Sequence, residues 1–247
     1  MQKKFAMHIV GENQNRPCRN KFILKCINEL PHGTKILDAG AGQLRWKDAC
    51  RNLTYISQDF CQYDGTGDGK GLLSVGRGWN SDAESKKKID IVCDIIDIPV
   101  EDKEFDAILC SEVLEHLQNP ELAIKEFSRI IKDGGTLILT APFCSFTHFA
   151  PFHYCTGFNI YWYEKVLDLY GFEIVEKERN GNYFSYVWQE VLRVPQMVKK
   201  YLGKKDLVTT ILCALLAVRL KKYIRTENNS GEVACYGYHI KARKAAG

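Results

Sequence analysis

One short segment constrains the fold of this chain more than any other: an apolar run that ends in an aspartate and a glycine-rich turn. It is Lys35-Ile-Leu-Asp-Ala-Gly-Ala-Gly-Gln43, an order typical of a buried strand that turns into a helix. Glycines at Gly40 and Gly42 let the backbone approach a ligand closely at a helix N-terminus. The segment therefore predicts an open α/β sheet with a ligand site beyond the carboxyl end of this strand.

Strand and helix signals alternate along the chain from residue 20 to about residue 180. Short runs rich in Ile, Leu and Val predict strands at 35–39, 54–59, 89–93, 106–111 and 135–141, and a last strand at 234–242. Helical patterns lie between several of them, at 20–30 and most clearly at 120–131. This alternation indicates βαβ units and a parallel sheet with helices on both faces.

Two segments interrupt the alternation. Residues 64–88 are rich in Gly, Ser and Lys and are interpreted as a long mobile loop, and residues 183–226 as a helical insertion before the last strand. The chain has 247 residues, enough for one α/β domain with a large core. We therefore expect a single domain over residues 1–247, with its core at 20–180 and 232–244.

Composition and cysteine spacing disfavour several classes of function. Lys and Arg are spread along a chain of net charge +4, whereas nucleic-acid binding usually requires a concentrated basic face. The ten cysteines form no CxxC pair and no zinc spacing. No signal peptide is visible, so we expect reduced thiols in a cytoplasm. No stretch reaches the roughly 18–20 apolar residues of a membrane-spanning helix.

The glycine turn by itself indicates only a nucleotide ligand. Asp59 stands about 20 residues further on, at the end of the second predicted strand, where an acid binds ribose hydroxyls. The dinucleotide pattern GxGxxG requires glycine at position 45, where Arg45 stands, so a nicotinamide site is disfavoured. Residues 65–71 are not a phosphate-binding loop, because Gly71 stands where Ser or Thr would bind magnesium.

The order of the later elements resembles the class I S-adenosylmethionine (SAM)-dependent methyltransferases. The motifs that carry the resemblance lie at 38–42, 92–99, 105–117 and 122–143, and the likeness covers about residues 20–180 and the last strand. More narrowly, the chain is similar to bacterial methyltransferase-domain proteins of surface-polysaccharide and other secondary pathways. The resemblance implies a Rossmann-like, doubly wound sheet of seven mostly parallel strands, with the last strand antiparallel.

The resemblance also implies SAM as the cofactor and assigns its contacts. Asp38 and its glycines would face the methionine part, Asp59 the ribose and Asp94 the adenine amino group. The implied cofactor-binding residues are Asp38, Ala39, Gly40, Gly42, Asp59, Phe60, Asp94, Ile95, Cys110 and Ser111. Leu44 departs from the family, in which many members have a third glycine, and this leaves the shape of the turn open.

The segment after the fifth predicted strand is unusually aromatic and suggests the acceptor pocket. Residues 143–163 contain nine aromatic residues and two histidines, a composition that suits a sugar ring or a planar small molecule. His148 and His153 are the candidate catalytic residues, because a hydroxyl acceptor must lose a proton. The alternative is that the aromatic residues form core and that backbone groups bind the histidines.

A second group of polar residues follows the fourth predicted strand. Glu112, Glu115 and His116 would share one face of a helix, which is metal-ligand spacing, and His148 is available as a further ligand. The run resembles the metal site of small-RNA 2′-O-methyltransferases and of some ubiquinone-pathway O-methyltransferases. The same run is common among related proteins that bind no metal, and we expect no metal here.

The helical insertion contains an apolar run, 207–218, between clusters of Lys and Arg. We interpret it as a helix whose apolar face packs on the domain or on a second subunit, which leaves room for a homodimer. The alternative is a helix that lies in a membrane interface, with peripheral contact through residues 199–222.

These features together predict a cytoplasmic SAM-dependent methyltransferase that acts on a small-molecule or glycan acceptor, at a hydroxyl oxygen. Two alternatives stay open. The first is N- or C-methylation of a small molecule, and the second is a SAM-binding protein without catalytic activity. The absence of an Asn-Pro-Pro-Tyr motif at Cys110-Ser-Glu-Val113 disfavours methylation of nucleic-acid bases or of protein glutamine.

Overall fold

The main feature of the fold is a seven-stranded sheet, seen in a computed structural model that describes residues 13–63, 88–226 and 229–246. The strands are β1 (Lys35–Ala39), β2 (Thr54–Asp59), β3 (Ile91–Val92), β4 (Phe105–Ser111), β5 (Ile131–Pro142), β6 (Phe172–Asn180) and β7 (Gly237–Lys244). They lie side by side in the order β3-β2-β1-β4-β5-β7-β6. Strands β1 to β5 pair in parallel, whereas β7 runs antiparallel to β5. The predicted Rossmann-like sheet with an antiparallel last strand is confirmed.

Five α-helices accompany the sheet in the described residues. They are α1 (Asn15–Asn28), α2 (Pro120–Ile130), α3 (Ile160–Leu169), α4 (Tyr183–Leu202) and α5 (Leu207–Ile224). Helix α2 has proline at its first turn, as the sequence predicted, and it leads directly into β5. Helices α4 and α5 confirm the predicted helical insertion. None of the described helices is both long enough and apolar enough to span a bilayer.

The predicted strand bounds are correct for β1 and β2 and wrong elsewhere by a few residues. Strand β3 is shorter than the predicted 89–93, because the Asp90 carboxylate accepts the Ser57 N–H at 2.9 Å in place of a backbone carbonyl. Strand β5 begins four residues early, and β7 begins three residues late. The predicted loop at 64–88 lies outside the described residues except for Lys88.

The apolar core between α1 and the sheet shows why these elements form. The buried residues of α1 recur at spacings of three and four, which places them on one face of a helix. They pack against side chains from three parallel strands, and the cluster includes Phe22, Ile23, Cys26, Ile27, Ile36, Ala107, Leu109 and Ile138. Each fully buried large side chain contributes roughly 1.5–3 kcal/mol relative to exposure. This packing fixes the strands whose carboxyl ends carry the candidate site.

The chain divides into two compact units. One comprises the described residues of 21–178 and 237–247 and contains the candidate site, and the other comprises those of 1–20 and 179–236. In the second unit, Asn182 caps α4: its side chain accepts the Ser185 N–H, and the Ser185 hydroxyl accepts the Asn182 N–H. The single-domain organisation stays a prediction.

Candidate active site

The aspartate before the glycine turn is buried and unusually basic. Asp38 lies at the carboxyl end of β1, and its carboxylate accepts a 2.6 Å hydrogen bond from the Tyr55 hydroxyl. Burial raises the pKa of Asp38 to about 7; the negative charge of Asp59 adds to the rise, and the Tyr55 hydrogen bond opposes it. A cationic ligand group beside Asp38 would favour its charged form. Tyr55 carries no motif that would have revealed it in the sequence.

The turn itself is held against two neighbouring strand ends. The backbone N–H groups of Gly40 and Ala41 both donate to the Gln58 carbonyl, at 2.9 and 2.8 Å. Gly40 has a φ of +76°, and a Cβ built there would overlap with Cγ2 of Val113. Only glycine satisfies both conditions without strain. The turn therefore lies directly against the segment that follows β4.

Leu44 resolves the shape of the turn that the sequence left open. Its φ is +57°, so the backbone adopts the left-handed conformation that glycine favours, with leucine in place of glycine. Its side chain packs against Ala41, Cys61 and Ile89. This packing offsets a conformational cost of roughly 1–2 kcal/mol. The departure from the family pattern leaves the left-handed turn in place.

Asp59 connects the turn to the end of β2. One carboxylate oxygen accepts the Gly42 N–H at 2.9 Å, and the other accepts the Cys61 N–H at 2.8 Å. Because each carboxylate oxygen has two lone pairs, both retain acceptor capacity for the two hydroxyls of a ribose. The neighbouring Phe60 is half-buried.

Asp94 lies beyond β3, the strand next to β2, so the two acids follow adjacent strand ends. Its side chain is exposed and accepts the Ile96 N–H at 3.2 Å, whereas the Ile95 side chain is buried. The Gln58 side-chain amide donates to the Cys93 carbonyl at 2.8 Å and so ties this segment to β2. The predicted ribose and adenine contacts therefore share one edge of the sheet.

The residues at the end of β4 are engaged within the protein. Cys110 is fully buried, and burial raises the pKa of its thiol well above the usual value, so it is no thiolate. The hydroxyls of Ser111 and Thr140 are 2.9 Å apart across the β4–β5 pair. Ala39, in the neighbouring β1, is also fully buried. The side chains of Cys110, Ser111 and Ala39 therefore contact mainly other residues of the protein.

Three histidines form a cluster beyond β4 and β5. The ring centroids of His116 and His148 are 4.7 Å apart, and those of His148 and His153 are 4.8 Å apart. Glu115, with only 1% of its side chain exposed, lies beside the first two. Both predicted catalytic residues thus lie in one group with His116, which the sequence suggested only as a metal ligand.

Backbone carbonyls fix the tautomers of two of these rings. His116 Nδ1 lies 2.6 Å from the Phe152 carbonyl, and His148 Nδ1 lies 2.8 Å from the Phe146 carbonyl. A carbonyl only accepts, so each Nδ1 carries the proton and each Nε2 carries a lone pair when the ring is neutral. Both Nε2 atoms face Oε1 of Glu115, at 3.7 and 4.0 Å. The ligand atoms of the three side chains all lie within 4.8 Å of one another, a spacing that could hold a metal ion.

Burial determines the charge of His116. It lowers the pKa of His116 to about 3, with the nearby His148 and His153 rings adding to the effect and the hydrogen bond to Phe152 opposing it. His116 is therefore neutral at physiological pH. A neutral imidazole with an oriented Nδ1–H is the form that binds metals.

The helix that was predicted to place Glu112, Glu115 and His116 on one face does not form. Residues Leu114–His116 form a single 3₁₀ turn, and Glu112 has a φ of +57°. Glu112 continues the sheet pairing with its N–H to the Thr140 carbonyl, and its carboxylate accepts the Thr140 hydroxyl at 3.2 Å. His148, from the loop after β5, takes the place in the cluster that Glu112 was expected to fill.

His153 is oriented by a serine. Its Nε2 lies 3.0 Å from the Ser145 hydroxyl, which itself donates to the Thr156 carbonyl at 3.0 Å. The hydroxyl has one hydrogen, so His153 Nε2–H is the donor in the first bond and Nδ1 carries the lone pair. Burial, followed by the proximity of His148, lowers the pKa of His153.

Aromatic contacts join the histidine cluster to the candidate cofactor residues. The rings of Phe60 and Phe152 meet edge to face at 5.1 Å, and those of Tyr63 and Phe149 lie 4.7 Å apart. Phe149 also lies 4.9 Å from the His116 ring. The loop after β5 therefore packs on the segment that follows Asp59. Sequence analysis missed Tyr63, because contacts of this kind depend on the fold.

Comparison with known proteins identifies the class of domain. Residues 37–139, from β1 to β5, match the family model described as a methyltransferase domain. Residues 37–139 of this chain therefore form a methyltransferase domain. SAM is the cofactor of this family. The matched span includes every predicted cofactor-binding residue from Asp38 to Ser111 and ends before His148 and His153.

Two curated relatives share a similar part of the methyltransferase chain. A demethylmenaquinone methyltransferase of Renibacterium salmoninarum is 28% identical over 148 residues, which are 58% of this chain and 54% of the relative. A ubiquinone biosynthesis O-methyltransferase of Coxiella burnetii is 29% identical over 139 residues, 56% of this chain and 53% of the relative. The chain thus spans about half the length of the curated relatives it matches.

A solved structure shows the same fold at lower identity. Phosphoethanolamine N-methyltransferase 2 of Haemonchus contortus, in complex with SAM, has a TM-score of 0.52 and 20% identity. The match covers 98% of this chain and 56% of the other. At this identity the likeness shows the methyltransferase fold alone. The acceptor has to be inferred from the residues of the site.

Proposed function

We propose that this chain transfers the methyl group of SAM to a hydroxyl oxygen of a small-molecule or glycan acceptor. The observation that carries the proposal is the contact of Phe60 with Phe152, since it joins the candidate cofactor edge to the histidine cluster. A cofactor and a proton acceptor at the same sheet edge are what O-methylation requires. We place the reaction in the cytoplasm.

The cofactor contacts follow from the charge of each group. SAM has a positively charged amino group and a sulfonium, which would favour the ionised form of Asp38. The Asp59 carboxylate would accept the ribose hydroxyls, and the exposed Asp94 carboxylate would accept the adenine amino group. The Ile95 backbone N–H would donate to the adenine, and Ile95, whose side chain is buried in this structure, would pack on the ring.

The methyl transfer is an in-line displacement. The acceptor oxygen forms a bond to the methyl carbon as the carbon–sulfur bond breaks, and sulfur keeps the electron pair as a thioether. The hydroxyl proton passes to a histidine, and we assign this role first to His148 Nε2. The Glu115 carboxylate, 4.0 Å away, would stabilise the imidazolium that forms. His153 Nδ1 is the second acceptor position, as a neutral ring whose pKa is lowered by burial.

The same cluster supports a second role for His148. Glu115, His116 and His148 fit a divalent cation, because two imidazole lone pairs converge on one buried carboxylate oxygen. Such an ion would polarise the acceptor oxygen, and His153 would then take its proton. Chelation followed by re-addition of one divalent ion at a time distinguishes the roles: activity that needs an ion assigns His148 as a ligand.

The proposal is tested with SAM binding and methyl transfer measured separately. His148→Asn keeps a donor for the Phe146 carbonyl and removes the Nε2 lone pair. We expect SAM affinity to be unchanged and methyl transfer to an active acceptor to fall by roughly 10²–10⁴-fold. His32→Asn, at an exposed histidine of the same unit, is the matched control and is expected to retain full activity. Full activity of His148→Asn would contradict its role.

The alternatives predict different results in the same assays. An N- or C-acceptor that is deprotonated at neutral pH needs no base, so His148→Asn and His153→Asn would both retain activity on it. A SAM-binding protein without catalytic activity would bind SAM and yield no methylated product from any acceptor library. Binding of NADH without SAM would overturn the whole proposal.

A further inference from the structure

Helix α5 exposes a nearly continuous surface of large aliphatic side chains. Seven of them are between 43% and 71% exposed: Leu207, Val208, Ile211, Leu212, Leu215, Leu216 and Val218. In the last turn of α4, Tyr201 and Leu202 are also exposed, at 57% and 65%. Single exposed leucines are ordinary, but an apolar patch of this length usually marks an interaction site.

The small face of α5, rather than the large one, packs within its unit. Ala214 and Ala217 face α4, where they and Leu220 contact a cluster that includes Trp188. Small residues allow the two helix backbones to approach closely, and this rotation turns the large aliphatic residues outward. Within its own unit the large apolar face of α5 is therefore not the face that packs, and packing on a second subunit stays a prediction.

The same hairpin, residues 183–226, carries a concentrated positive charge. It contains nine Lys and Arg against two acidic residues, a net charge of +7, while the whole chain has +4. The remainder of the chain therefore has a net charge of −3, and the imbalance arises mainly because the hairpin contains so few acidic residues. Four lysines flank the connection between α4 and α5, at positions 199, 200, 204 and 205.

The connection between α4 and α5 contains one acidic residue, Asp206, and its side chain caps a helix. Asp206 caps α5, where its carboxylate accepts the Thr209 N–H at 2.9 Å and the Thr209 hydroxyl at 2.7 Å. These hydrogen bonds lower the pKa of Asp206 and keep it charged at the positive end of the helix.

We propose that the hairpin of α4 and α5 docks on an anionic lipid bilayer, with α5 lying in the plane of the interface. The exposed aliphatic side chains enter the boundary between headgroups and acyl chains, and the lysines contact anionic headgroups.

Charge decides between a bilayer and a second copy of the chain. Two hairpins of +7 that met through this face would repel each other, whereas an anionic bilayer supplies the opposite charge and an apolar layer together. A nucleic acid would satisfy the charge but would leave the aliphatic residues exposed to water. The bilayer is the occupant that satisfies both properties.

The test is flotation of the full chain with two kinds of vesicle. One consists of phosphatidylcholine alone, and the other contains about one third phosphatidylglycerol. We expect binding to the anionic vesicles only, and weaker binding at high salt. Leu212→Glu with Leu215→Glu should reduce binding at least tenfold, roughly as expected for loss of buried apolar area plus added repulsion. Leu169→Glu, at a leucine 59% exposed in the other unit, is the matched control and should bind like the natural chain.

A fluorescent probe separates docking by this face from general attraction of charge. In Leu212→Trp the emission of the added tryptophan should shift to shorter wavelength on anionic vesicles, whereas in Leu169→Trp it should not. Absence of flotation at low salt, or equal binding to neutral vesicles, overturns the proposal. A dimer in solution that Leu212→Glu with Leu215→Glu dissociates, without vesicle binding, would assign the face to a second copy. Circular dichroism of each variant confirms that the helices remain folded.

Discussion

The Tyr55 hydroxyl donates a 2.6 Å hydrogen bond to the Asp38 carboxylate from the neighbouring strand. Tyr55 pairs with Ile36, two residues before Asp38, so both side chains emerge on the same face of the sheet. Burial has raised the pKa of Asp38 to about 7, and this hydrogen bond favours its charged form. The cofactor site is therefore sensitive to pH through one buried pair.

Removal of the Tyr55 hydroxyl should weaken SAM binding most at neutral pH. In Tyr55→Phe the pKa of Asp38 rises above about 7, so a smaller fraction is ionised at pH 7. We expect SAM affinity to fall about five- to tenfold at pH 7, from a loss of roughly 1–1.4 kcal/mol, and to recover partly at pH 8.5. Calorimetry at both values measures this. An equal loss at both values would contradict it, and Tyr161→Phe, 74% exposed, is the control.

His116 should make the folded state less stable in acid. Its pKa is about 3 in the folded protein, against about 6.5 for an ordinary histidine, so the unfolded chain binds the extra proton between these values. The free energy of unfolding should therefore fall as pH drops below 6.5, by roughly 2–3 kcal/mol at pH 4.5. His116→Asn, which keeps a donor for the Phe152 carbonyl, should reduce this slope in urea unfolding at several pH values. A slope equal to that of the natural chain would show that another group titrates.

Because Leu44 has a left-handed backbone, Leu44→Gly should destabilise the fold less than Leu44→Val, although glycine removes more of the side chain. Leu44→Val keeps an apolar side chain but places a β-branched residue at a φ of +57°, which should cost about 1–2 kcal/mol. Leu44→Gly loses the contacts with Ala41, Cys61 and Ile89 but relieves the backbone, so its net effect should be smaller. Denaturant unfolding compares the two. Greater stability of the valine variant would mean that side-chain packing outweighs the backbone.

Gly40 should be sensitive to side-chain overlap as well as to backbone strain. Gly40→Ala places a Cβ on Val113, so we expect a loss of more than tenfold in SAM affinity and a lower thermal midpoint. Adding Val113→Ala should recover part of both. Gly33→Ala is the control for backbone strain alone, because its φ is +79° and its Cβ would meet no atom within 4 Å. If both alanine variants lose the same stability, the overlap has no effect.

The strands and the glycine turn were predictable from the sequence because their signals are local. Strands β1 and β2 have the predicted bounds, since buried parallel strands are continuous apolar runs. The positions of Asp38 and Asp59 follow directly, because each ends or nearly ends its strand. Their bonds to Tyr55 and Gly42 were not predictable, because they depend on how neighbouring strands are paired.

The histidine cluster was predictable only in part. The aromatic segment drew attention to His148 and His153, but their grouping with Glu115 depends on the path of the loop after β5. The helical spacing misplaced Glu112, because a left-handed residue and a 3₁₀ turn interrupt the expected helix. For α5 the pattern correctly predicted a helix, but it could not show which of its two apolar faces packs.

The strand order has a consequence for the time course of folding. Strand β6 reaches the sheet through β7, its neighbour, and residues 181–236 separate the two in the chain. At ribosomal rates of 5–20 residues per second, about 3–10 s pass between synthesis of β6 and synthesis of its partner. During that interval β5 also has an unpaired edge, where a strand from another chain can pair. This edge of β5 therefore stays open to such pairing until β7 has been synthesised.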